Sequence, residues 1–195
     1  MKTTRRYTMT TRAEAAERTR MRILDAAVSL ADSKLLADIL LDDIATEAGV
    51  SVQTVLRRFG NRAGLIEAAR QHAQARVEEE RRTPVGDVDA AVRTVVDHYE
   101  ERGDGVVLML AQERTDEAIR AITTGGRALH RTWVTDAFGP YLPEDQESRE
   151  SLVDLLAVAT DVYTWKQLRR DRGLSRARTE ARMNQLVRAL LPHAP

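Results

Sequence analysis

Residues 42–59 read Asp-Asp-Ile-Ala-Thr-Glu-Ala-Gly-Val-Ser-Val-Gln-Thr-Val-Leu-Arg-Arg-Phe, a segment that has the pattern of two short helices. A helix-turn-helix needs a turn that often contains glycine, small residues where the helices approach, and apolar anchors behind the second helix. These requirements are met by Ala45, Gly49, Val50 and Val55. The stretch therefore predicts two short helices joined by a glycine turn, although any short helix pair with such a turn shows the same pattern.

The second helix of this pair is predicted to read DNA. In a helix-turn-helix, the N-terminal end of the second helix enters the major groove. A glutamine such as Gln53 can pair in bidentate fashion with adenine, and the methyl groups of Val52 or Thr54 can meet a thymine methyl. Arginines just beyond can contact phosphates. The predicted DNA-contacting residues are Ser51, which can also cap the helix, Val52, Gln53, Thr54, Arg57, Arg58 and Arg62.

Charge is unevenly spread along a chain whose formal net charge is zero. Residues 1–82 carry 15 Lys and Arg against 12 Asp and Glu, whereas residues 83–195 carry 15 against 18. Residues 1–24 alone hold seven basic and two acidic side chains. This asymmetry is typical of an N-terminal part that meets a polyanion. Solvated helix faces are the alternative, and the charge count alone favours them.

Composition and the lengths of the apolar segments exclude several classes of protein. The chain has no cysteine, so disulfides and thiolate metal sites are impossible. The basic start, residues 1–6, is not followed by the apolar stretch of a signal peptide. No apolar run approaches the roughly 20 residues that span a bilayer. The four histidines are scattered and form no metal-binding motif. We expect a cytoplasmic protein without metal, cofactor, catalytic residues or membrane contact, and not an enzyme.

Helical periodicity extends over the whole chain and predicts an all-α fold of about nine helices. Thr11 and Glu14 form a capping box that can begin the first helix, and Asn61 can cap the fourth. The end of that fourth helix, residues 78–82, is charged and expected to be exposed. Thr83-Pro84 indicates a boundary, with Thr83 as the cap of the next helix. The predicted domains are a flexible basic arm (1–11), a helix-turn-helix domain with a connecting helix (12–82), and a second helical domain (83–195).

The second domain contains glycines that predict interruptions. Gly103 and Gly105 separate one helix from a short helix over residues 106–110, and residues 123–126 favour a kink in the next. The helix over residues 148–171 is apolar almost all round, so it must be covered on several sides. The last helix carries a narrower apolar stripe from Met183 to Leu191.

Residues 20–72 resemble the DNA-binding domain of the TetR family of transcriptional regulators. The matching residues are Arg22-Ile23-Leu24-Asp25-Ala26-Ala27, Asp43-Ile44-Ala45, Ala48-Gly49-Val50-Ser51, Thr54, Phe59 and Leu65. The chain length and the two-domain plan also fit. The resemblance implies a three-helix N-terminal domain and a larger C-terminal domain for ligand binding and dimerisation. It further implies a homodimeric repressor that binds a near-palindromic operator in double-stranded DNA and leaves it when a small-molecule effector binds.

The chain departs from the family pattern at several positions. It has Leu35 where the family usually has glycine after the first helix, and Ile39 and Leu40 where it has threonine at the start of the second. It has Leu56 in place of tyrosine and Arg62 in place of lysine. The threonine and tyrosine normally help to hold phosphates, whereas the residues at these positions here are apolar. Asp38 or Asp42 can cap the second helix instead, although neither attracts DNA.

The family usually encloses a ligand pocket in its C-terminal domain, and apolar side chains with a few polar groups are typical of such pockets. The predicted ligand-binding residues are Tyr99, Met109, Gln112, His130, Trp133, Asp161, Thr164 and Trp165. Each apolar member is individually more often core than ligand contact. Asp161 is unusual in so apolar a segment; His130, Lys166 or a ligand cation can pair with it, and a solvent-facing position is the alternative.

The last two helices are expected to form a four-helix dimer interface with their copies in a second protomer. The predicted interface residues are Leu152, Leu156, Met183, Leu186, Val187 and Leu190. Two other functions remain open from the sequence: a helical small-molecule-binding protein or enzyme with an incidental helix pair, and a purely structural dimerisation protein. The helix-turn-helix and the basic N-terminus argue against both.

Overall fold

The protein is built from helices. The computed structural model describes residues 4–191, with side chains from residue 13 onward, and every regular element in that range is helical. The helices are α1 (Thr4–Ala31), α2 (Leu41–Glu47), α3 (Val52–Phe59), α4 (Arg62–Glu80), α5 (Val88–Gln112), α6 (Glu117–Ala137), α7 (Gln146–Ala159), α8 (Val162–Lys166) and α9 (Arg176–Leu190). Short helical turns lie at Leu36–Asp38, Gly139–Tyr141 and Gln167–Asp171. The predicted all-α class is confirmed.

The chain divides into two compact units, Met1–Gln74 and Ala75–Pro195. The division falls inside α4, upstream of the boundary that Thr83-Pro84 indicated. Unit 1 therefore contains α1 to α3 and the first part of α4, and unit 2 contains the rest of the chain.

Unit 1 is held together by apolar side chains spaced for helix packing. The residues almost completely buried there include Ile23, Leu24, Ala26, Ile39, Ile44, Ala45, Ala48, Val55 and Leu65. The first helix begins at Thr4, so Thr11 and Glu14 lie inside it and the expected start at Thr11 is wrong. Most of the predicted arm is thus part of α1, and residues 1–3 lie outside the described range.

Unit 2 has its core around α5, which packs against α6, α8 and α9. The core side chains of α5 follow helical spacing and are fully buried at Ala91, Val92, Val95 and Val96. Phe138, Leu156, Trp165, Met183 and Val187 cover them from the other helices. A helix that packs against three others in this way needs a wide apolar face.

The boundaries of α5 differ from those expected. Asp87, not Thr83, caps the helix, because its side chain accepts a hydrogen bond from the backbone N–H of Ala90 at 2.9 Å. Gly103 and Gly105 do not interrupt α5, and the predicted short helix over residues 106–110 is its last part. The reason is tertiary: a Cβ on Gly103 would lie 2.5 Å from Cζ3 of Trp165. Glycine is present here so that the indole can approach the helix.

We expect Gly103→Ala to lower the free energy of unfolding by about 1–3 kcal/mol, the usual cost of overpacking a core. This loss has to exceed the gain of about 1 kcal/mol in helix propensity. Gly126→Ala on α6 is the matched control, because nothing lies within 4 Å of a Cβ built there. That variant should be as stable as the wild type or more so. Urea unfolding of the three proteins tests this, and equal stabilisation by both alanines would contradict the close packing at Gly103.

The segment over residues 148–171 is not one helix. It is divided at Thr160 and Asp161 into α7, α8 and a turn of π-helix. Asp161 accepts a hydrogen bond from the backbone N–H of Tyr163 at 2.8 Å and so caps α8. This cap explains why a carboxylate stands in an apolar segment, and Lys166 pairs instead with Asp171 at 2.8 Å. In α6, by contrast, the predicted kink at residues 123–126 is absent and the helix is continuous.

Two further observations on the described residues concern membranes and metals. None of their helices is long and apolar enough to cross a membrane. Within the described range, no cluster of three or more His, Cys, Asp or Glu side chains is arranged to hold a metal ion.

Candidate nucleic-acid interface and effector cluster

The turn between α2 and α3 has the geometry that its sequence predicts. Gly49 adopts a φ of +63°, a conformation that side chains disfavour. The chain then reverses so that the N–H of Val50 bonds to the carbonyl of Ala45 at 2.9 Å. Ala45 and Ala48 are buried, so the backbones of the two short helices can approach each other.

The start of α3 carries two side chains that hold the helix end and one exposed side chain that does not. Ser51 Oγ accepts from the N–H of Thr54 at 3.3 Å, and the hydroxyls of Ser51 and Thr54 lie 3.0 Å apart. These two side chains therefore hold each other and the helix end. Gln53 is exposed beside the half-buried Val52, so Gln53 is the free polar group at this end of α3.

The two faces of α3 have different environments. Val55 is buried in unit 1, and Phe59 lies under the Arg20 guanidinium, 5.8 Å from the ring centre. Arg57 is exposed, whereas Arg58 is half-buried and its Nε lies buried without a hydrogen-bond partner. Gln53 and Arg57 are four residues apart and so share one exposed face, opposite the buried Val55.

Arg62 has a structural contact in addition to its predicted role. Its Nη2 donates to the carbonyl oxygen of Leu36 at 2.5 Å and approaches that of Ile39 at 3.5 Å. The guanidinium therefore holds the turn that precedes α2. A guanidinium has five N–H donors, so this contact leaves others for a phosphate.

The cap of α2 comes from an unexpected residue. Asp43, rather than Asp38 or Asp42, accepts from the backbone N–H of Leu40 at 2.9 Å. The Leu40 side chain is 60% exposed at the helix start. An exposed leucine has no hydrogen-bonding group, so it cannot replace a threonine there in holding a phosphate.

Three predicted ligand-binding residues of unit 2 meet around a side chain that the sequence did not single out. Arg81, at the end of α4, is only 5% exposed. Its Nη1 lies 3.1 Å from Nδ1 of His130, and its guanidinium faces the rings of Tyr99 and Trp133 at 5.2 and 5.6 Å. Trp133 Nε1 donates to the Arg81 carbonyl at 2.8 Å. The expectation that residues 78–82 are exposed is therefore wrong for Arg81. We call Arg81, Tyr99, His130 and Trp133 the effector cluster.

Hydrogen bonds fix the protonation states in the effector cluster. His130 Nε2 lies 3.2 Å from the carbonyl of Ala157 and 3.1 Å from Oγ1 of Thr160. Burial, followed by the positive charge of Arg81, lowers the pKa of His130 to about 4. A neutral imidazole has one donor and one acceptor nitrogen, so Nδ1 accepts from Arg81 and Nε2 donates. Tyr99 donates to the Thr160 carbonyl at 3.1 Å, and burial raises its pKa.

The remaining predicted ligand-binding residues do not join this cluster by hydrogen bonds. Trp165 is buried and donates to Glu100 at 2.9 Å, although its ring lies 5.9 Å from that of Tyr99. Gln112 donates to the Leu108 carbonyl within α5, and Thr164 donates to that of Val158 at 2.6 Å. Met109 is half-buried, and Asp161 caps α8. A shallow groove lies elsewhere, along α9, between Ala177 and Arg188.

The residues predicted for the dimer interface divide between two environments. Leu156, Met183 and Val187 are fully buried in the core of unit 2, so assigning them to the interface is wrong. The apolar periodicity of α7 and α9 comes from this core. The exposed apolar side chains are Leu155 at 48%, Val158 at 66% and Leu186 at 45%. Leu152 and Leu190 are half-buried. Leu155 and Val158 were not predicted; they lie one helical turn apart on α7.

The comparisons with known proteins agree with this geometry. Residues 23–69 match the model of the family described as bacterial regulatory proteins, TetR family. The HTH-type transcriptional repressor LfrR of Mycolicibacterium smegmatis is 41% identical over 99 residues, which are 49% of this chain and 51% of that protein. The chain thus spans about half the length of the curated relative it matches.

Solved structures share the fold over most of the chain. A TetR-family transcriptional regulator from Streptomyces coelicolor matches with a TM-score of 0.69 at 22% identity. The matched part is 89% of this chain and 79% of that regulator. A protein from Rhodococcus sp. that is described as a putative TetR-family transcriptional regulator matches with a TM-score of 0.64 at 16% identity. The matched part is 89% of this chain and 98% of that protein. Residues 23–69 are therefore similar to the DNA-binding domain of TetR-family regulators, and the helical fold of the described residues is similar to that of solved TetR-family regulators.

Proposed function

We propose that the chain is a transcriptional repressor, and not an enzyme, that acts in the cytoplasm as a homodimer. It binds a near-palindromic operator through α3 of each protomer and is released when a small molecule binds unit 2. The observation that carries the proposal is the exposed face of α3, where Gln53 and Arg57 stand opposite the buried Val55. The description of LfrR as a repressor supports repression over activation.

The two exposed residues have different tasks in this proposal. Gln53 reads a base edge, where a bidentate pair contributes about 1–3 kcal/mol of discrimination. Arg57 contacts a phosphate, which adds affinity without sequence preference. Arg62 already donates to a backbone carbonyl and Arg58 is half-buried, so we assign these two residues a smaller share of the phosphate contacts than Arg57.

The release step requires that the effector distinguish two states of the dimer. A ligand lowers DNA affinity only if it favours a geometry in which the two recognition helices no longer match the groove spacing. Couplings of this kind are typically about 1–3 kcal/mol, or roughly 5- to 150-fold in affinity. The effector cluster supports unit 2 as the place of binding, because its buried guanidinium lacks a full set of partners.

The DNA-binding proposal can be tested by selecting binding sites from random-sequence duplexes. The wild type should select a two-fold site with half-sites about one helical turn apart, or a multiple of it. Gln53→Ala should select a site with relaxed preference at one position in each half. Gln71→Ala, an exposed glutamine on α4, is the matched control and should select the wild-type site. An unchanged site from the Gln53 variant would contradict its role as a base reader.

Salt dependence separates Arg57 from Gln53. Affinity for the selected duplex should fall steeply with salt, because phosphate contacts release counterions. Arg57→Ala should weaken all sequences alike and reduce the slope of log K against log salt by about 2, roughly one unit for each protomer. Gln53→Ala should leave the slope unchanged. Wild-type binding that does not respond to salt, or no selection of any duplex, would overturn the proposed function.

A further inference from the structure

Arg81 has an incomplete set of partners for a buried guanidinium. Its Nη1 meets His130, but its Nε lies buried without a hydrogen-bond partner. The rings of Tyr99 and Trp133 cover it at 5.2 and 5.6 Å. An arginine Nε–H and a neighbouring Nη–H form the fork that binds a carboxylate with two parallel hydrogen bonds. One donor of that fork is present, buried and unused.

The charge of Arg81 is also unbalanced. Among the described residues, no carboxylate oxygen lies within 4.0 Å of its guanidinium. Glu80, the residue before Arg81, is bound by Arg102 at 2.8 Å, and Asp161 caps α8. Removing a cation from water is unfavourable even after the protein relaxes around it. Contact with the aromatic faces offsets only part of that cost. An anion is the partner that would complete this environment.

The surroundings specify the charge and shape of that anion. His130 and His98 are buried, and burial lowers the pKa values of both far below neutrality, so they add no positive charge at pH 7. Arg81 therefore offers a single positive charge, which one carboxylate balances and a phosphate dianion exceeds. The walls are aromatic or apolar: Tyr99, Trp133, Trp165 and the valines of α5 belong to the same core. These features favour a monoanion with an apolar body.

We propose that the effector is an apolar carboxylic acid in its ionised form, and that its carboxylate pairs with Arg81 in the effector cluster. The regulatory meaning of this pairing rests on the proposed function, whereas the binding itself does not. Because Arg81 is almost fully buried, the surrounding helices have to part before a ligand reaches it. Association should therefore be slower than for a preformed site.

The test compares charged and uncharged ligands of the same shape. Benzoate, phenylacetate and octanoate are each paired with the corresponding amide and titrated into the full chain, with the unfolding midpoint and calorimetric affinity as readouts. At least one carboxylate should stabilise the wild type, and its amide should bind about tenfold more weakly or worse. Arg81→Met should lose this preference while unfolding at or above the wild-type midpoint, because a buried charge is replaced by an apolar chain. Arg81→Lys should retain part of it, since lysine keeps the charge but not the fork.

Three outcomes would overturn the inference. They are equal binding of acid and amide, no binding of any of the three carboxylates, and an Arg81→Met variant that is destabilised and keeps the carboxylate preference. DNA binding is measured on the same preparations. A protein that binds its selected duplex but no carboxylate contradicts only this inference, whereas a protein that binds carboxylates but no duplex contradicts the proposed function.

Discussion

The Val158→Glu variant should remain folded and sediment as a monomer at micromolar concentration, whereas the wild type should sediment as a dimer. Val158 is 66% exposed on α7, and Leu155 is 48% exposed one turn earlier. Such side chains are ordinary when scattered but mark an interface when they share a face. Stable homodimer interfaces usually bury more than about 2,000 Å² and are apolar at the centre. A glutamate placed there would be buried without a partner, which costs several kcal/mol.

The variant's folding separates an interface residue from a core residue. Leu156 is adjacent to Leu155 in sequence but is fully buried, so Leu156→Glu should unfold the protomer. Thr124→Glu on the exposed side of α6 introduces the same charge and should leave the dimer intact. Analytical ultracentrifugation and circular dichroism of the three variants provide the measurements. A Val158→Glu variant that is still a dimer would show that this face of α7 does not form the interface.

The monomeric variant should also lose DNA affinity, although Val158 is in unit 2 and α3 is in unit 1. A palindromic site is bound tightly because two recognition helices act together, and a monomer contacts one half-site only. We expect a loss of at least about a hundredfold, since one half of the phosphate contacts is removed.

The helix-turn-helix could be predicted from sequence because its determinants are local. Gly49 is needed for a backbone conformation that side chains disfavour, and Ser51 caps the helix that follows it. Both signals lie within a few residues of the structure they specify. The all-α class could also be predicted, because periodic apolar spacing extends over the whole chain.

The predictions from sequence that were wrong concern residues whose role depends on a partner distant in the chain. Gly103 indicated a helix break, but Trp165 of α8 requires its small size within a continuous helix. Leu156, Met183 and Val187 have the spacing of an interface stripe, and the same spacing suits a core. Periodicity identifies an apolar face but not what covers it.

Arg81 was missed for a similar reason. It lies in the charged run of residues 78–82, and runs of this kind are usually solvated. Only the tertiary structure brings His130 and Trp133 of α6 and Tyr99 of α5 around it. A buried arginine is rare, so its position in the core could not be expected from composition or spacing.

Acidification should destabilise the protein well before its carboxylates are protonated. Burial, and then the charge of Arg81, lowers the pKa of His98 to about 3 and that of His130 to about 4, from the ordinary value of 6.5. Between pH 6.5 and these values, the two histidines are protonated in the unfolded chain but remain neutral in the folded protein. Stability therefore rises with pH in this window and is lost as pH falls. Together the two histidines change the free energy of unfolding by up to about 2–3 kcal/mol per pH unit.

The window distinguishes the histidines from the acidic groups. Carboxylates that bind arginines, such as Glu67 with its pKa lowered to about 2, also destabilise the fold on protonation, but only below their ordinary pKa of 4.5. A fall in stability between pH 6.5 and 4.5 is thus the contribution of His98 and His130.

The measurement is the free energy of unfolding in urea at a series of pH values from 7.5 to 4.5. His130→Gln and His98→Gln each remove one titrating group, so each should reduce the slope between pH 6.5 and 4.5 by about half. The slope is the relevant quantity, because each substitution also changes stability at every pH through lost packing and hydrogen bonds. His130→Gln tests the effector cluster directly. If this variant had the wild-type slope, groups other than His130 would bind the extra protons in the unfolded chain. Stability that increased as pH fell through this range would mean that the folded protein admits the proton, and that Arg81 does not keep His130 neutral.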